Sequence, residues 1–97
     1  MIQSLDLTGK VAIITGGSRG IGRSLSNGFA QQGANVVVSS RNLDSCERTS
    51  EEINHLGGSS VPIPAHIGKL EEIKNLVNKT IEVYGRIDII VNNAANP

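Results

Sequence analysis

Between positions 11 and 29 an unbroken apolar run, Val11-Ala12-Ile13-Ile14, meets a glycine-rich turn, Thr15-Gly16-Gly17-Ser18-Arg19-Gly20-Ile21-Gly22. A helix-period repeat at Ile21, Leu25 and Phe29 follows. This junction constrains the fold more than any other stretch. Apolar residues at consecutive rather than alternate positions predict a strand covered on both faces. Glycines between strand and helix predict a turn shaped to receive phosphate. Gly16 and Gly17 permit torsions that a Cβ penalises, Gly20 lets a pyrophosphate approach the main chain, and Gly22 lets the helix start lie close on the strand. The N–H groups of the first helical turn, at the positive end of the helix dipole, then face the phosphates. The spacing Gly16-x-x-x-Gly20-x-Gly22 departs from the common G-x-G-x-x-G and lacks the Lys-Ser/Thr ending of a mononucleotide loop, so a dinucleotide is the expected ligand.

The remaining chain repeats this alternation. Residues 1–9 form a lead-in whose Leu5 and Leu7 can pack on a sheet edge. The first helix is predicted over residues 20–32, with Ile21, Leu25 and Phe29 buried and Gly33 as its stop. Gly28 inside it is either a close-packing point or a weakness of about 1 kcal/mol. Residues 35–39 read as the second strand. The second helix, residues 43–56, has Asn42 as N-cap and a stripe of Leu43, Cys46, Ile53 and Leu56. Residues 60–65 form a strand that Pro62 and Pro64 place at the border of the sheet. The third helix, residues 70–84, carries Leu70, Ile73, Val77, Ile81 and Tyr84, and Gly85 closes it. Residues 87–91 make the fourth strand. The order β-α-β-α-β-α-β with right-handed crossovers predicts an α/β fold: a Rossmann-like doubly wound parallel sheet, strand order 3-2-1-4. Its switch point brings Thr15-Gly16 and Asn92-Asn93 together across one crevice.

Thr15-Gly16-x-x-x-Gly20-x-Gly22, with Asn92-Asn93-Ala94-Ala95 after the fourth strand, resembles the Thr-Gly-x-x-x-Gly-x-Gly and Asn-Asn-Ala-Gly motifs of the short-chain dehydrogenase/reductase family. The similarity runs from about Gly9 to the last residue. It implies a nicotinamide dinucleotide cofactor, a small-molecule carbonyl or alcohol substrate, and a parent protein that is a homo-oligomer. Carried over by position, Gly16, Ser18, Arg19, Gly20, Ile21 and Gly22 line the phosphates. Asn93 and Ala94 lie on the adenosine side, Asn93 offering its carbonyl or side chain to a ribose, and Ile67 packs beside the base. His66 stands where many relatives place an aspartate. With His55 the only other histidine and no cysteine pair, His66 is read as a loop residue and no metal site is expected. His66-Ile67-Gly68 together with residues 93–97 is most similar to the NADP-dependent carbonyl and retinal reductase branch.

An NAD-selective site usually presents a carboxylate after the second strand. Here the sequence is Ser39-Ser40-Arg41-Asn42. A carboxylate would repel a 2′-phosphate, whereas Arg41 can hold one bidentately, Ser40 can add a hydroxyl, and Arg19 can reach the same group. NADP(H) is therefore the expected cofactor, the competing reading being that both arginines are solvated surface charges.

The same family uses a tyrosine, a lysine four positions later and a serine for catalysis. The only tyrosine is Tyr84, and Asp88 stands four positions on, so no catalytic residue is expected here. Residues 1–97 read as a truncated dinucleotide-binding domain, the cofactor half of a larger NADP(H)-dependent oxidoreductase, itself inactive because the catalytic segment is absent. The fourth strand would be an outer edge without proline or lysine and with only Asp88 to blunt pairing. Ile87, Ile89 and Val91 would lack a neighbour, and the isolated chain is expected to self-associate. The alternatives are a non-catalytic dinucleotide-binding or scaffold module, and an unfolded remnant, since a chain this short buries only about 60–65% of its unfolded surface.

Zero net charge and 2% aromatic residues argue against a nucleic-acid partner. Cys46 is the single cysteine, which excludes an internal disulfide and fits a reducing compartment. No basic leader is present and no apolar run approaches the ~20 residues of a membrane span, so no membrane partner is expected and the location is expected to be cytoplasmic. The sequon Asn78-Lys79-Thr80 falls inside a predicted helix and is discounted.

Overall fold

The computed structural model describes residues 6–93; Leu5, the Ala94-Ala95 half of the second motif, and Asn96 and Pro97 lie outside them. The elements are β1 (Val11–Thr15), α1 (Gly20–Gln31), β2 (Asn35–Ser39), α2 (Leu43–His55), β3 (Ser59–Pro62), α3 (Leu70–Tyr84) and β4 (Ile89–Asn92). They form one parallel sheet in the order β3-β2-β1-β4, the doubly wound arrangement that the alternation predicts.

Alternate residues of the two central strands feed two cores. Ala12, Ile14, Val36 and Val38 join Cys46 and Ile53 on one face, where Leu25 and Phe29 of α1 pack; Ile13 and Val37 join Ile63, Ala65 and Leu76 on the other. Every residue of β1 is buried, so its continuous apolar run follows from helices on both sides.

Where the helices meet the sheet, the expected stripes shift. Ile21 is 72% exposed, and α1 instead buries Gly22 and Ser26. Leu43 and Leu56 are exposed, while α2 buries Ser45, Cys46, Thr49, Ser50 and Ile53. Leu70 and Ile81 are exposed, and Leu76 and Thr80 are the residues that α3 buries fully. Small and hydroxyl side chains let α1 and α2 approach the sheet closely, and the buried hydroxyls of all three helices find nearby acceptors. Ser26 Oγ lies 2.9 Å from Gly22 O and Thr80 Oγ1 2.7 Å from Leu76 O, each bonding back one turn along its own helix. Gly28 is no close-packing point, since a Cβ there would meet nothing within 4 Å.

Caps follow the sequence more closely. Asn42 Oδ1 accepts the Ser45 N–H at 3.0 Å, and α3 ends at Gly85 in the left-handed region, φ 79°. Tyr84 packs against the α3-side core, and its hydroxyl shares a 3.2 Å hydrogen bond with Ser59.

The two sheet borders differ. Beyond β3 the chain still bonds to β2, Ile63 N–H donating to Val38 O at 3.0 Å and Ala65 N–H to Ser40 O at 2.8 Å. Pro62 and Pro64 therefore occupy the alternate positions that face outward, where their missing N–H closes the border to another strand. On β4, Ile89 and Val91 pack against the α1-side core and Ile87 against the α3-side core, so these three are half-buried rather than unpartnered. The exposed apolar residue of β4 is Ile90, at 62%. It follows Ile13 onto the α3 face, but it is not part of the core that Leu76 of α3 forms with Ile13, Val37, Ile63 and Ala65. Asp88 does not blunt this border either. Its carboxylate turns inward, Oδ2 accepting the Val11 N–H at 2.9 Å and Oδ1 accepting from Arg86 at 2.7 Å, while its own N–H donates to Val11 O at 2.9 Å.

Candidate functional site

The carboxyl ends of the strands open into a cleft of about 730 Å³ lined by the glycine turn, the end of β2, the loop after β3 and the end of β4. This volume suits a small organic ligand. Parallel strands place all of these segments at one end of the sheet, and the reversal of strand order between β1 and β4 leaves the crevice there.

Packing and torsion divide the glycine turn between them. A Cβ on Gly22 would stand 1.7 Å from Gly16 O, and one on Gly17 would stand 2.7 Å from Ile14 O. Gly17 is therefore needed for space, and positive φ in this turn falls on Gly16 (64°) and Gly20 (54°). The turn is tied on three sides. Gly17 N–H donates to Ser39 O at 3.0 Å, Thr49 Oγ1 donates to Ser18 O at 3.2 Å, and Ser26 Oγ lies 3.1 Å from Gly17 O. Asn93 Nδ2 reaches toward Gly16 O at 3.5 Å, and its N–H donates to Thr15 O at 3.3 Å.

After this turn α1 begins at Arg19 with no side-chain cap and no acidic residue in its first turn. By contrast, α2 has Asn42 and Asp44, and α3 has Glu71 and Glu72. The orphan N–H groups and positive dipole end of α1 are thus left to whatever anion the cleft receives.

Across the cleft, Ser18 Oγ donates to Ser40 Oγ at 2.9 Å. Ser40 Oγ also lies 3.1 Å from Cys46 Sγ, whose thiol pKa is raised, chiefly by burial, so Cys46 is a neutral core group behind the cleft wall. The Ser18–Ser40 contact sets Arg19 and Arg41, each the next residue in sequence, on the two banks of the opening. Both are exposed, and neither forms an ion pair among the described residues. The described lining contains these two arginines and no carboxylate.

Of the residues singled out from sequence, Gly16, Ser18, Arg19, Ser40, Arg41, Ile67 and Asn93 line the cleft. Gly20, Ile21 and Gly22 form the first turn of α1 beside it, and Ala94 lies outside the described residues. Thr15 and Asn92, expected at the crevice, line it too, as do Ser39, Asn42 and Gly68, which were given no contact of their own; sequence reasoning passed over Ser45 and Ala65. For Ala65 its position at a strand end, once the topology is assumed, was the available signal. His66 serves the loop after β3: its Nδ1 accepts the Gly68 N–H at 3.0 Å, and its own N–H donates to Glu72 Oε1 at 2.7 Å. Among the described residues no group of three metal-ligating side chains occurs, and no helix is long and apolar enough to cross a membrane.

The sequence profile of the short chain dehydrogenases matches residues 10–96. The chain is 42% identical over 92 residues to 7alpha-hydroxysteroid dehydrogenase of Escherichia coli strain K12, an alignment covering 95% of this chain and 36% of that protein. It is 41% identical over 92 residues to short-chain dehydrogenase/reductase SDRA of Arabidopsis thaliana, covering 94% of this chain and 36% of the relative. Among solved structures, a hydroxysteroid dehydrogenase from Escherichia coli superposes with a TM-score of 0.93 at 41% identity, covering 96% of this chain and 40% of that one. The citronellol catabolism dehydrogenase of Pseudomonas aeruginosa PAO1 gives 0.90 at 35% identity, covering 100% and 40%. The chain spans about a third of the length of the curated relatives it matches.

Proposed function

The chain belongs to the short-chain dehydrogenase family, and from that membership we propose that residues 1–97 are the cofactor-binding part of an oxidoreductase that uses NADP(H) on a carbonyl or alcohol substrate. A bound nicotinamide supplies or accepts a hydride. The residues described here bind and orient the other end of that cofactor. The uncapped first turn of α1, which begins at Gly20, with Gly16 and Ser18 before it, receives the pyrophosphate; Arg41, Ser40 and Arg19 receive the 2′-phosphate; Ile67 and Asn93 flank the adenosine. The observation that carries the choice of NADP(H) is the charge of the cleft: two unpaired arginines and no carboxylate among its described lining residues. A carboxylate at the end of β2 would favour ribose hydroxyls, whereas a guanidinium pair favours a further phosphate.

Hydride transfer belongs to segments other than these. Tyr84, the only tyrosine, points its hydroxyl at Ser59 on the far border of the sheet and does not line the cleft. The same observation favours a second reading, a non-catalytic module that binds the dinucleotide without turning it over.

The test is cofactor affinity and turnover in the protein expressed from its full reading frame. NADPH is expected to bind more tightly than NADH, and Arg41→Ala to remove most of the difference by weakening NADPH about ten- to a hundredfold while leaving NADH nearly unchanged. Equal losses for both cofactors would assign Arg41 to the fold. Tight binding without turnover of any aldehyde, ketone or alcohol would favour the second reading.

A further inference from the structure

Three consecutive carbonyls of the glycine turn are each met by a side-chain donor. Asn93 Nδ2 approaches Gly16 O at 3.5 Å, Ser26 Oγ lies 3.1 Å from Gly17 O, and Thr49 Oγ1 donates to Ser18 O at 3.2 Å. The first two ties are long or shared. The Asn93 contact stands at the limit of a hydrogen bond, and the single proton of Ser26 also has Gly22 O at 2.9 Å. Thr49 has no second acceptor among the described residues. A hydroxyl inside a helix commonly turns back to a carbonyl one turn earlier, as Thr80 does to Leu76 O. Thr49, 2% exposed on α2, instead sends its proton out of its own helix to the turn before α1.

That bond fixes a peptide plane. In the trans peptide between Ser18 and Arg19, the C=O and the N–H point in opposite directions. Thr49 is buried and does not line the cleft, whereas Ser18 and Arg19 both do. A carbonyl drawn toward Thr49 therefore leaves the Arg19 N–H on the cleft side. Neither this N–H nor that of Ser18 has an acceptor among the described residues, and Arg19 is the N-cap from which α1 starts. Without the Thr49 hydroxyl, Ser18 O would lose its partner. Rotation of the plane toward the opening would then put a partial negative charge beside a helix end that is otherwise positive.

We propose that Thr49 is a positioning residue for dinucleotide binding: by holding Ser18 O away from the cleft, it keeps the Arg19 N–H, and not a carbonyl, facing the pyrophosphate. This rests on the dinucleotide reading above and adds to it a residue of α2 that itself touches no ligand. Its effect extends to every dinucleotide that brings a pyrophosphate, unlike that of Arg41, which is confined to the 2′-phosphate.

Affinity should follow the hydroxyl and not the shape of the side chain. The test is titration calorimetry with NADPH and NADH on the protein expressed from its full reading frame, at a temperature where wild type and variants are folded. Thr49→Val keeps the shape but lacks the donor, and should weaken both cofactors alike, about three- to tenfold. Thr49→Ser keeps the donor but lacks the buried methyl group, and should melt lower than wild type while binding both cofactors as wild type does. Weaker binding by Thr49→Ser would overturn the proposal whether or not Thr49→Val folds, because it would assign the effect to packing. Wild-type affinity in Thr49→Val would overturn it while leaving the dinucleotide reading intact. A loss confined to NADPH would overturn it in favour of a role on the 2′-phosphate side. Failure of the wild type to bind either cofactor would sink both readings.

Discussion

Two glycines of α1, six residues apart, should respond to the same substitution with opposite signs. At Gly22 an added Cβ would stand 1.7 Å from Gly16 O, 2.7 Å from Gly16 C and 2.8 Å from Asn93 Nδ2. The closest two are backbone atoms of the phosphate turn, which Gly17 bonds and Thr49 hold in place. Restoring normal contact needs a displacement of more than an ångström, so Gly22→Ala belongs at or above the upper end of the ~1–3 kcal/mol typical of overpacking. The gain in helix propensity, at most ~1 kcal/mol, does not offset it. Gly28 is exposed and has nothing within 4 Å, so Gly28→Ala keeps the propensity gain and should stabilise by up to ~1 kcal/mol. Urea denaturation of wild type and both variants, compared at constant m-value, measures the two effects. Nucleotide affinity should fall only in Gly22→Ala, because Gly16 and Asn93 both line the cleft. A Gly22→Ala protein within ~0.5 kcal/mol of wild type, or two variants shifting in the same direction, would show that the close approach of α1 to the turn is not what holds this site.

Replacing Asn42 by Ala removes the cap of α2 and should cost about 1 kcal/mol by chemical denaturation; no change would mean that the Ser45 N–H is satisfied otherwise. Asp88 is held below the usual carboxylate range, first by its bond from Arg86 and then by the Val11 N–H. Its folded pKa is lowered, so its stabilisation is fully present above the ordinary aspartate value and is lost as pH falls through the folded one. Asp88→Asn should flatten the acid limb of a stability-versus-pH curve and leave its neutral-to-basic part parallel to wild type. The 97-residue chain expressed alone should self-associate through β4, and Ile90→Lys should reduce the apparent mass in light scattering; a wild-type chain that scatters as a monomer would remove the basis for that expectation.

Helix boundaries were legible because they are written in turn chemistry, whereas the third and fourth strands, expected over 60–65 and 87–91, are Ser59–Pro62 and Ile89–Asn92. Gly33, Asn42 and Gly85 punctuate the chain where the helices begin or end, and β-branched runs mark strands. The buried faces were less legible. Periodicity assigns the phase of a helix from its largest apolar residues, and here Ile21, Leu43, Leu56, Leu70 and Ile81 point outward. The contacts that seat the helices come from Gly22 and Ser26, from Ser45, Thr49 and Ser50, and from Thr80. Hydropathy scores such residues as neutral, yet Gly22-x-x-x-Ser26 is a small-residue spacing that sequence reasoning could have used. In the cleft, glycines and arginines were visible because their chemistry is explicit. Thr49 behind them was not, because the acceptor that a hydroxyl finds depends on what surrounds it in space.

The unequal embedding of the cleft's parts has an evolutionary corollary. The glycine turn touches the core through backbone atoms, so drift there is policed by folding itself. Arg19 and Arg41 are exposed and carry no ion pair among the described residues, so exchanging them disturbs little beyond their own reach. Selection for a different cofactor would therefore find its permissive sites at these two positions, and a library confined to them could change what the protein accepts while leaving how it folds almost untouched.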